Sequence, residues 1–136
     1  MSEDEILTTH TAEYWYQLKT QTLPRKAARA IGFEMTPQLV ERGRYIAHAT
    51  YECALYAQQY GVAMNVAGGT HHSFAGHGEG FCVFNDVCIA SNLLLNRGQA
   101  QKILVIDLDV HQGNGNASIM ADEPRVFTRF VSKYQT

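Results

Sequence analysis

The chain has 136 residues, of which 46% are apolar and 18% charged, and its formal net charge is −2. This length suits about one domain, and the composition is that of a chain that folds around a core. The balanced charge argues against a nucleic-acid-binding surface, and no apolar run reaches the roughly 18 residues that a membrane span needs. Because the N-terminus is acidic where a secretion signal is basic, we predict a cytoplasmic protein.

The first half of the chain is predicted to be helical. Residues 1–31 have an amphipathic pattern that is broken at Pro24. Thr36 followed by Pro37 is a typical helix start, since threonine can cap and proline suits the first turn. We expect this second long helix to end at Gly61.

The second half alternates between short strands and helices. Residues 62–67 are predicted as a strand that runs into a Gly- and His-rich loop over residues 68–80. A helix over residues 85–96 follows, then a strand over residues 103–107 that we expect to be deeply buried. Residues 122–127 lead into a third strand. Apolar strands separated by helices predict an α/β fold with a parallel sheet flanked by helices.

The three cysteines form no CxxC pair and are odd in number. We therefore expect Cys53, Cys82 and Cys88 to be small buried thiols in a reducing compartment. Cys82 lies near the motifs described next, so a reactive thiol at this position is the alternative.

Chemically active side chains follow the ends of two predicted strands. His71 and His72 follow the first strand, and Asp109 and His111 follow the strand over residues 103–107. Ligands of open parallel sheets bind beyond the carboxyl ends of the strands. If the two strands are neighbours, all four side chains converge at one edge of the sheet.

The spacing of these residues indicates metal chemistry. Asp109 and His111 are two residues apart and point to the same side of an extended segment. A carboxylate and an imidazole suit zinc, and also manganese or iron. Asp107 shares this side and could orient a histidine. The pair His71–His72 could supply a general base and an electrostatic partner, or one of them could only hydrogen-bond the loop.

Three segments, GGTHHSF, GEGFCVFND and ILVIDLDVHQGNG, resemble the histone deacetylase superfamily, in particular its class IV-like and bacterial members. The segment IGFEMTPQLVERGRYIAHATYECA is similar to the region that precedes the His-His loop there. The resemblance runs from about residue 8 to residue 128. It implies an arginase/deacetylase-like α/β fold and a zinc-dependent amidohydrolase that removes acetyl groups from lysine-like amines.

The resemblance also implies roles for single residues. Asp109 and His111 match metal ligands for Zn²⁺, with Fe²⁺ as the alternative, and His72 matches the general base. His71 matches the histidine that stabilises charge and assists the leaving amine, with Asp107 as its partner. The backbone carbonyls of Asp107, Asp109 and His111 match part of a site for a monovalent cation such as K⁺.

Three further positions match the surroundings of that site. Asn114 stands where some members carry an aspartate against the second histidine and others an asparagine. A neutral amide still orients the ring. Gly80 and Phe81 match the narrow tunnel that holds the acyl-lysine chain, in which Phe81 could pack against an aliphatic stem and exclude water.

Two expected groups have no match in this chain: the family's third metal ligand, an aspartate, and the tyrosine that donates to the oxyanion. The resemblance stops at residue 128, and residues 129–136 form a tail that does not match. We therefore expect residues 1–128 to be a partial deacetylase domain, incomplete at both ends, with little activity alone.

Three alternatives remain. The substrate could be a small acetylated amine such as an acetylpolyamine instead of acetyl-lysine. The chain could be a vestigial or non-catalytic metal-binding fragment of the family. An arginase-like manganese hydrolase shares the fold but would carry more Asp-rich ligand motifs. The sequence gives no indication of the oligomeric state.

Overall fold

The computed structural model describes residues 1–130, which form six helices and two strands. In chain order these are α1 (Glu3–Leu7), α2 (Ala12–Thr20), α3 (Arg25–Ile31), α4 (Pro37–Tyr60), α5 (Asp86–Asn96), β1 (Ile103–Asp107), α6 (Asn114–Ile119) and β2 (Val126–Phe130). The two strands are parallel, with Ile103 opposite Val126. Arg129 and Phe130 of the predicted tail continue β2, and residues 131–136 lie outside the described residues.

The predicted boundaries of α4 and α5 are confirmed, whereas residues 1–31 are broken between α1 and α2 as well as at Pro24, and α6 was not predicted. The side chain of Thr36 accepts a hydrogen bond from the Leu39 amide at 3.1 Å, and α4 runs from Pro37 to the predicted end at Gly61. Asn85 caps α5 in the same way, accepting from the Cys88 amide at 2.9 Å. In each case a side-chain oxygen satisfies an amide that has no partner within the helix. Among residues 1–130, no helix is both long and apolar enough to cross a bilayer.

A central cluster of apolar side chains packs all five helices from α1 through α5 together. It is formed by the buried residues Ile6, Tyr14, Trp15, Leu18, Ile31, Val40, Ala47, Tyr51, Val83, Phe84, Ile89, Ala90, Leu93 and Leu94. Tyr14 also donates a hydrogen bond from its hydroxyl to the Val83 carbonyl at 2.8 Å. This packing fixes α5, and with it the segment before α5 that carries the conspicuous glycines and histidines.

The strand predicted over residues 62–67 is wrong. This segment has no strand structure, and Val62, Met64 and Val66 are exposed. A strand needs a hydrogen-bonded neighbour, and within residues 1–130 β1 and β2 pair only with each other. The segment is held instead by Asn65, whose side-chain amide donates to the Ile46 carbonyl at 3.0 Å and to the Thr50 hydroxyl at 2.8 Å.

The expected deep burial of β1 is correct for one face only. Ile103 and Val105 pack against a second cluster of Cys88, Leu95, Met120 and Val126. Leu104 and Ile106, which point the other way, are 61% and 60% exposed. Since alternate side chains of a strand point to opposite faces, helices cover one face of this two-stranded sheet in the described part of the chain and leave the other open.

His10 connects the N-terminal helices to the rest of the fold. It is 3% exposed, and its Nε2 accepts a hydrogen bond from the Asn85 amide at 3.0 Å. Its Nδ1 lies 3.3 Å from the Ala75 carbonyl, so Nδ1 carries the proton of the neutral ring. Burial lowers the pKa of His10 from 6.5 to about 4.

The His10 pKa makes stability depend on pH. The unfolded chain binds this proton below pH 6.5 and the folded chain only near pH 4, so stability falls as the pH falls through this range. The full loss is about 3 kcal/mol. Urea unfolding of His10→Gln between pH 4 and 7 should show that the free energy of unfolding depends less on pH. The reason is that glutamine can keep a donor and an acceptor at this position but does not titrate. His48→Gln, at a half-exposed position, is the control, and an equal dependence of stability on pH in the two variants would contradict this role.

Candidate active site

The paired histidines lie side by side, and each is held at Nδ1 by a different acceptor. Their ring centroids are 4.1 Å apart. His71 Nδ1 is 2.6 Å from Asp107 Oδ2, and His72 Nδ1 is 2.8 Å from Asn114 Oδ1. The predicted partners of both rings are thus in place. This arrangement leaves Nε2 of both rings available for chemistry.

The loop with His71 and His72 meets the residues that follow β1, although the two segments do not follow neighbouring strands. Asp107 is the last residue of β1, and its carboxylate is largely buried against His71. At the start of α6, the amide of Asn116 donates to the His71 carbonyl at 3.2 Å. The loop that carries the histidines therefore docks on the carboxyl end of β1 and on α6, although residues 62–67 are not a strand of the sheet.

Asp109 and His111 point to the same side, as their spacing predicts. Asp109 Oδ1 accepts from the His111 amide at 2.7 Å and lies 3.0 Å from His111 Nδ1. The hydrogen bond from the His111 amide is the main cause that lowers the pKa of Asp109. The His111 ring lies 6.1 Å from that of His72. A carboxylate and an imidazole are thus exposed beside the histidine pair.

These two donors fit part of a catalytic zinc site. Such a site uses three protein ligands and leaves one position open. Within residues 1–130 no group of three or more His, Cys, Asp or Glu side chains is arranged to hold a metal ion. Asp109 and His111 alone should therefore hold an ion only weakly, and a complete site would need a further ligand from elsewhere.

Gly80 and Phe81 both have a left-handed backbone. The φ angles are 56° and 66°, and the second is rare for a bulky residue. A Cβ on Gly80 would lie 2.7 Å from the His72 ring, so only glycine fits there. The Phe81 amide donates to the Ile31 carbonyl at 2.7 Å, which ties it to the end of α3. Its side chain is 65% exposed beside the site, a strained and accessible position of the kind found at functional sites.

Two glycines follow His111, and the reason for them is the close approach of the backbone to its neighbours. Gly113 has a φ of −74°, which any residue can adopt. A Cβ at Gly113 would lie 2.5 Å from Asp107 Oδ2, and one at Gly115 would lie 2.6 Å from the His71 carbonyl oxygen. Both glycines are needed because the backbone passes close to the His71–Asp107 pair.

Asp86 is a residue whose role the sequence analysis missed. It is fully buried, and its carboxylate accepts hydrogen bonds from the Gly69 amide and from both the amide and hydroxyl of Thr70, at 2.6 to 3.2 Å. The Thr50 hydroxyl on α4 donates at 2.5 Å. These bonds fix the backbone directly before His71. A carboxylate in the first turn of an otherwise apolar helix was the available signal.

Burial argues against a reactive cysteine. Cys82 and Cys88 are buried, as predicted, and Cys53 is half-buried. Desolvation raises the pKa of both buried thiols. Since the thiolate is the reactive form, the alternative of a reactive Cys82 is disfavoured.

The remaining histidines stay outside the site, as predicted. His48 is half-exposed on α4, 3.8 Å from the Glu52 carboxylate. His77 stacks on Phe74, with ring centroids 4.5 Å apart. Neither makes a contact that suggests chemistry.

Comparison with known proteins identifies the family. The sequence model of the histone deacetylase domain matches residues 1–136. The chain belongs to the histone deacetylase family. An uncharacterized protein of Picosynechococcus is 45% identical over 119 residues, which are 88% of this chain and 40% of that protein. A polyamine deacetylase of Mus musculus is 33% identical, over 98% of this chain and 22% of its own length.

The fold also agrees with a solved member of the family. An HDAC homologue from Aquifex aeolicus superposes with a TM-score of 0.78 at 29% identity, over 96% of this chain and 37% of that one. This confirms the arginase/deacetylase-like fold with a parallel sheet flanked by helices. The chain thus spans two fifths or less of the length of these relatives. The family is one of deacetylases, which are hydrolases and in general use a metal cofactor.

Proposed function

We propose that this chain carries the catalytic histidines of a zinc-dependent deacetylase that hydrolyses acetyl-lysine or a related acetylated amine. The observation that carries the proposal is the histidine pair, held at Nδ1 by Asp107 and Asn114, beside Asp109 and His111. Both rings direct their second nitrogen away from these partners. This is the arrangement that a general base and a proton donor need.

In this proposal the two histidines divide the proton transfers. A zinc ion, when bound, would polarise the amide carbonyl and lower the pKa of bound water to roughly 7. His72 takes a proton at Nε2 as water attacks the carbonyl carbon. As the C–N bond breaks, the amine leaves with a proton from a histidine, and His71, held by Asp107, assists this step by stabilising charge. Asn114 keeps the His72 ring oriented throughout.

Asp109 and His111 are the proposed metal ligands, with Fe²⁺ as the alternative ion. The backbone carbonyls of Asp107, Asp109 and His111 are proposed to contribute to a monovalent-cation site, for example for K⁺. The third metal ligand would come from outside residues 1–130. Residues 1–128 would then form part of a deacetylase domain.

Gly80 and Phe81 are proposed to line the substrate tunnel. The exposed Phe81 ring follows Gly80, which lies against the His72 ring, and packs edge-on against Phe33 at 5.2 Å between centroids. Such an exposed aromatic ring suits an aliphatic chain such as that of lysine or a polyamine. The relative from Mus musculus is named a polyamine deacetylase, which supports the small-amine alternative. We further propose a cytoplasmic location, which the composition favours.

Acetate release tests this proposal. We define a hybrid chain in which residues 1–128 are followed by the C-terminal part of the Picosynechococcus relative. The hybrid chain should release acetate from acetyl-lysine peptides or acetylpolyamines, and a chelator should stop the release. The 136-residue chain alone should release little. An inactive hybrid chain alongside an active full-length relative would contradict the proposal.

The second candidate is a non-catalytic metal-binding fragment. It is favoured by the exposure of Asp109 and His111 and by the two-donor site within residues 1–130. The two candidates differ in which side chains hold zinc in this chain.

Zinc titration of the 136-residue chain separates the candidates. We expect Asp109→Ala to raise the dissociation constant at least about tenfold, because one of two ligands is lost. His71→Ala should leave zinc affinity unchanged, since His71 is paired with Asp107. Loss of zinc in His71→Ala would show that this histidine serves as a replacement ligand, and would favour the non-catalytic candidate. Calorimetry with His77→Ala as the control gives the affinities.

A further inference from the structure

Glu79 lies one hydrogen bond behind the residue that orients His72. Its Oε1 accepts from Asn114 Nδ2 at 2.8 Å, and Asn114 Oδ1 lies 2.8 Å from His72 Nδ1. We propose that Glu79 is a positioning residue that sets the tautomer of His72 through the Asn114 amide. This inference rests on the proposed function for the importance of the tautomer, but the tautomer itself can be measured independently of catalysis.

The orientation of the Asn114 amide is fixed from both ends. Its Oδ1 lies 3.0 Å from the backbone amide of Gly115, which can only donate. Its Nδ2 faces the Glu79 carboxylate, which when ionised can only accept. The two ends of an asparagine amide are otherwise easily exchanged. Exchange here would oppose donor to donor at Gly115 and acceptor to acceptor at Glu79.

The fixed amide determines where His72 carries its proton. Since His72 Nδ1 faces an oxygen, Nδ1 must be the protonated nitrogen. The neutral ring then has its lone pair at Nε2, which is the atom a general base uses. Free histidine prefers the other tautomer, with the proton on Nε2. The fold must therefore impose the Nδ1–H form, and Glu79 provides one half of that constraint.

Glu79 is well placed for this task because its own backbone is anchored. Its carbonyl accepts from the Cys82 amide at 2.9 Å. The next residue, Gly80, packs against the His72 ring and donates its amide to the Ala30 carbonyl at 3.0 Å. One short segment thus contacts the face of the His72 ring and, through its carboxylate, holds the ring's partner.

Long-range ¹H–¹⁵N spectra of histidine-labelled protein test the inference. At a pH above imidazole titration, such spectra distinguish Nδ1–H from Nε2–H for each of the six histidines. His72 in the 136-residue chain should be in the Nδ1–H form. Glu79→Met keeps the length but removes the acceptor, and should raise the Nε2–H to Nδ1–H ratio about fivefold, as loss of one hydrogen bond would. Glu79→Gln keeps an acceptor oxygen and should retain the Nδ1–H form.

Glu13→Met, on the exposed side of α2, is the matched control. A wild-type tautomer in Glu79→Met would overturn the inference, as would an Nε2–H form in the unaltered chain. If Glu79→Met does not fold, the Asn114 side-chain amide is measured in Glu79→Gln. The resonance of the Asn114 Nδ2 proton that faces residue 79 should move upfield, because a neutral acceptor replaces a charged one. An unchanged resonance would overturn the inference.

The two proposals fail in different ways. A Glu79-dependent tautomer in a protein whose hybrid chain releases no acetate would overturn the deacetylase function and leave the positioning role intact. An active hybrid chain in which Glu79→Met changes neither the tautomer nor the rate would overturn the positioning role alone.

Discussion

Replacing His72 with alanine in the hybrid chain is expected to lower kcat/KM for acetate release by about 10²- to 10⁴-fold, the usual contribution of a general base. The reason is that His72 alone combines an Nδ1 held by Asn114 with an Nε2 free to take a proton from water. His71 is bound to a carboxylate instead, and this suits a group that carries charge. Steady-state measurements over a range of substrate concentrations give the value.

The control for His72 comes from the same loop. His77 stacks on Phe74 and makes no contact with the histidine pair, so His77→Ala should retain most of the activity. The kcat/KM of Asn114→Ala should lie between those of His72→Ala and His77→Ala, because the His72 ring would remain but lose its orientation. A His72→Ala hybrid chain with more than about a third of the original kcat/KM would contradict the role of general base.

Replacing Asp86 with alanine is expected to lower the free energy of unfolding by about 3 to 5 kcal/mol. The carboxylate is fully buried and accepts from Thr50, Gly69 and Thr70, so its removal leaves the donors of several part-buried hydrogen bonds without their partner. A loss of this size is a large part of the 5 to 15 kcal/mol that typical domains have. Urea unfolding of the 136-residue chain measures it.

The loss in Asp86→Ala should extend to the histidine loop. Since Asp86 holds the backbone just before His71, the variant should also weaken hydrogen-exchange protection over residues 69–72. Asp122→Ala, at an exposed position between α6 and β2, should change stability by less than about 0.5 kcal/mol and serves as the control. A loss below about 1 kcal/mol in Asp86→Ala would show that water or other groups replace the carboxylate.

Local signals were sufficient for the starts of α4 and α5, although α6 and the break between α1 and α2 were not predicted. Thr36 with Pro37 and Asn85 with its following apolar residues marked helix starts that the structure confirms. Such signals act through hydrogen bonds within three or four residues, so a sequence displays them completely. The same holds for the i, i+2 placement of Asp109 and His111, which depends only on the geometry of an extended segment.

Strand predictions failed where the outcome depended on distant partners. Residues 62–67 have the apolar character of a strand but lie exposed, because within residues 1–130 no strand pairs with them. Ile106 is exposed for a related reason, because helices cover only one face of β1. Pairing and burial of a strand are properties of its neighbours, which its own residues do not encode.

The sequence by itself determined the family, the helix starts and the residue types of the site. The motifs around His71 and Asp109 identify the family and the residue types of the site, and capping residues identify the helix starts. All of these features depend on short segments of sequence. Only the tertiary structure decided how the site is held together. Asp86 and Glu79 act across 16 and 35 residues of chain, on Thr70 and Asn114. Hydrogen bonds between distant segments leave no periodic trace in a sequence, because they arise only when packing brings the two segments into contact.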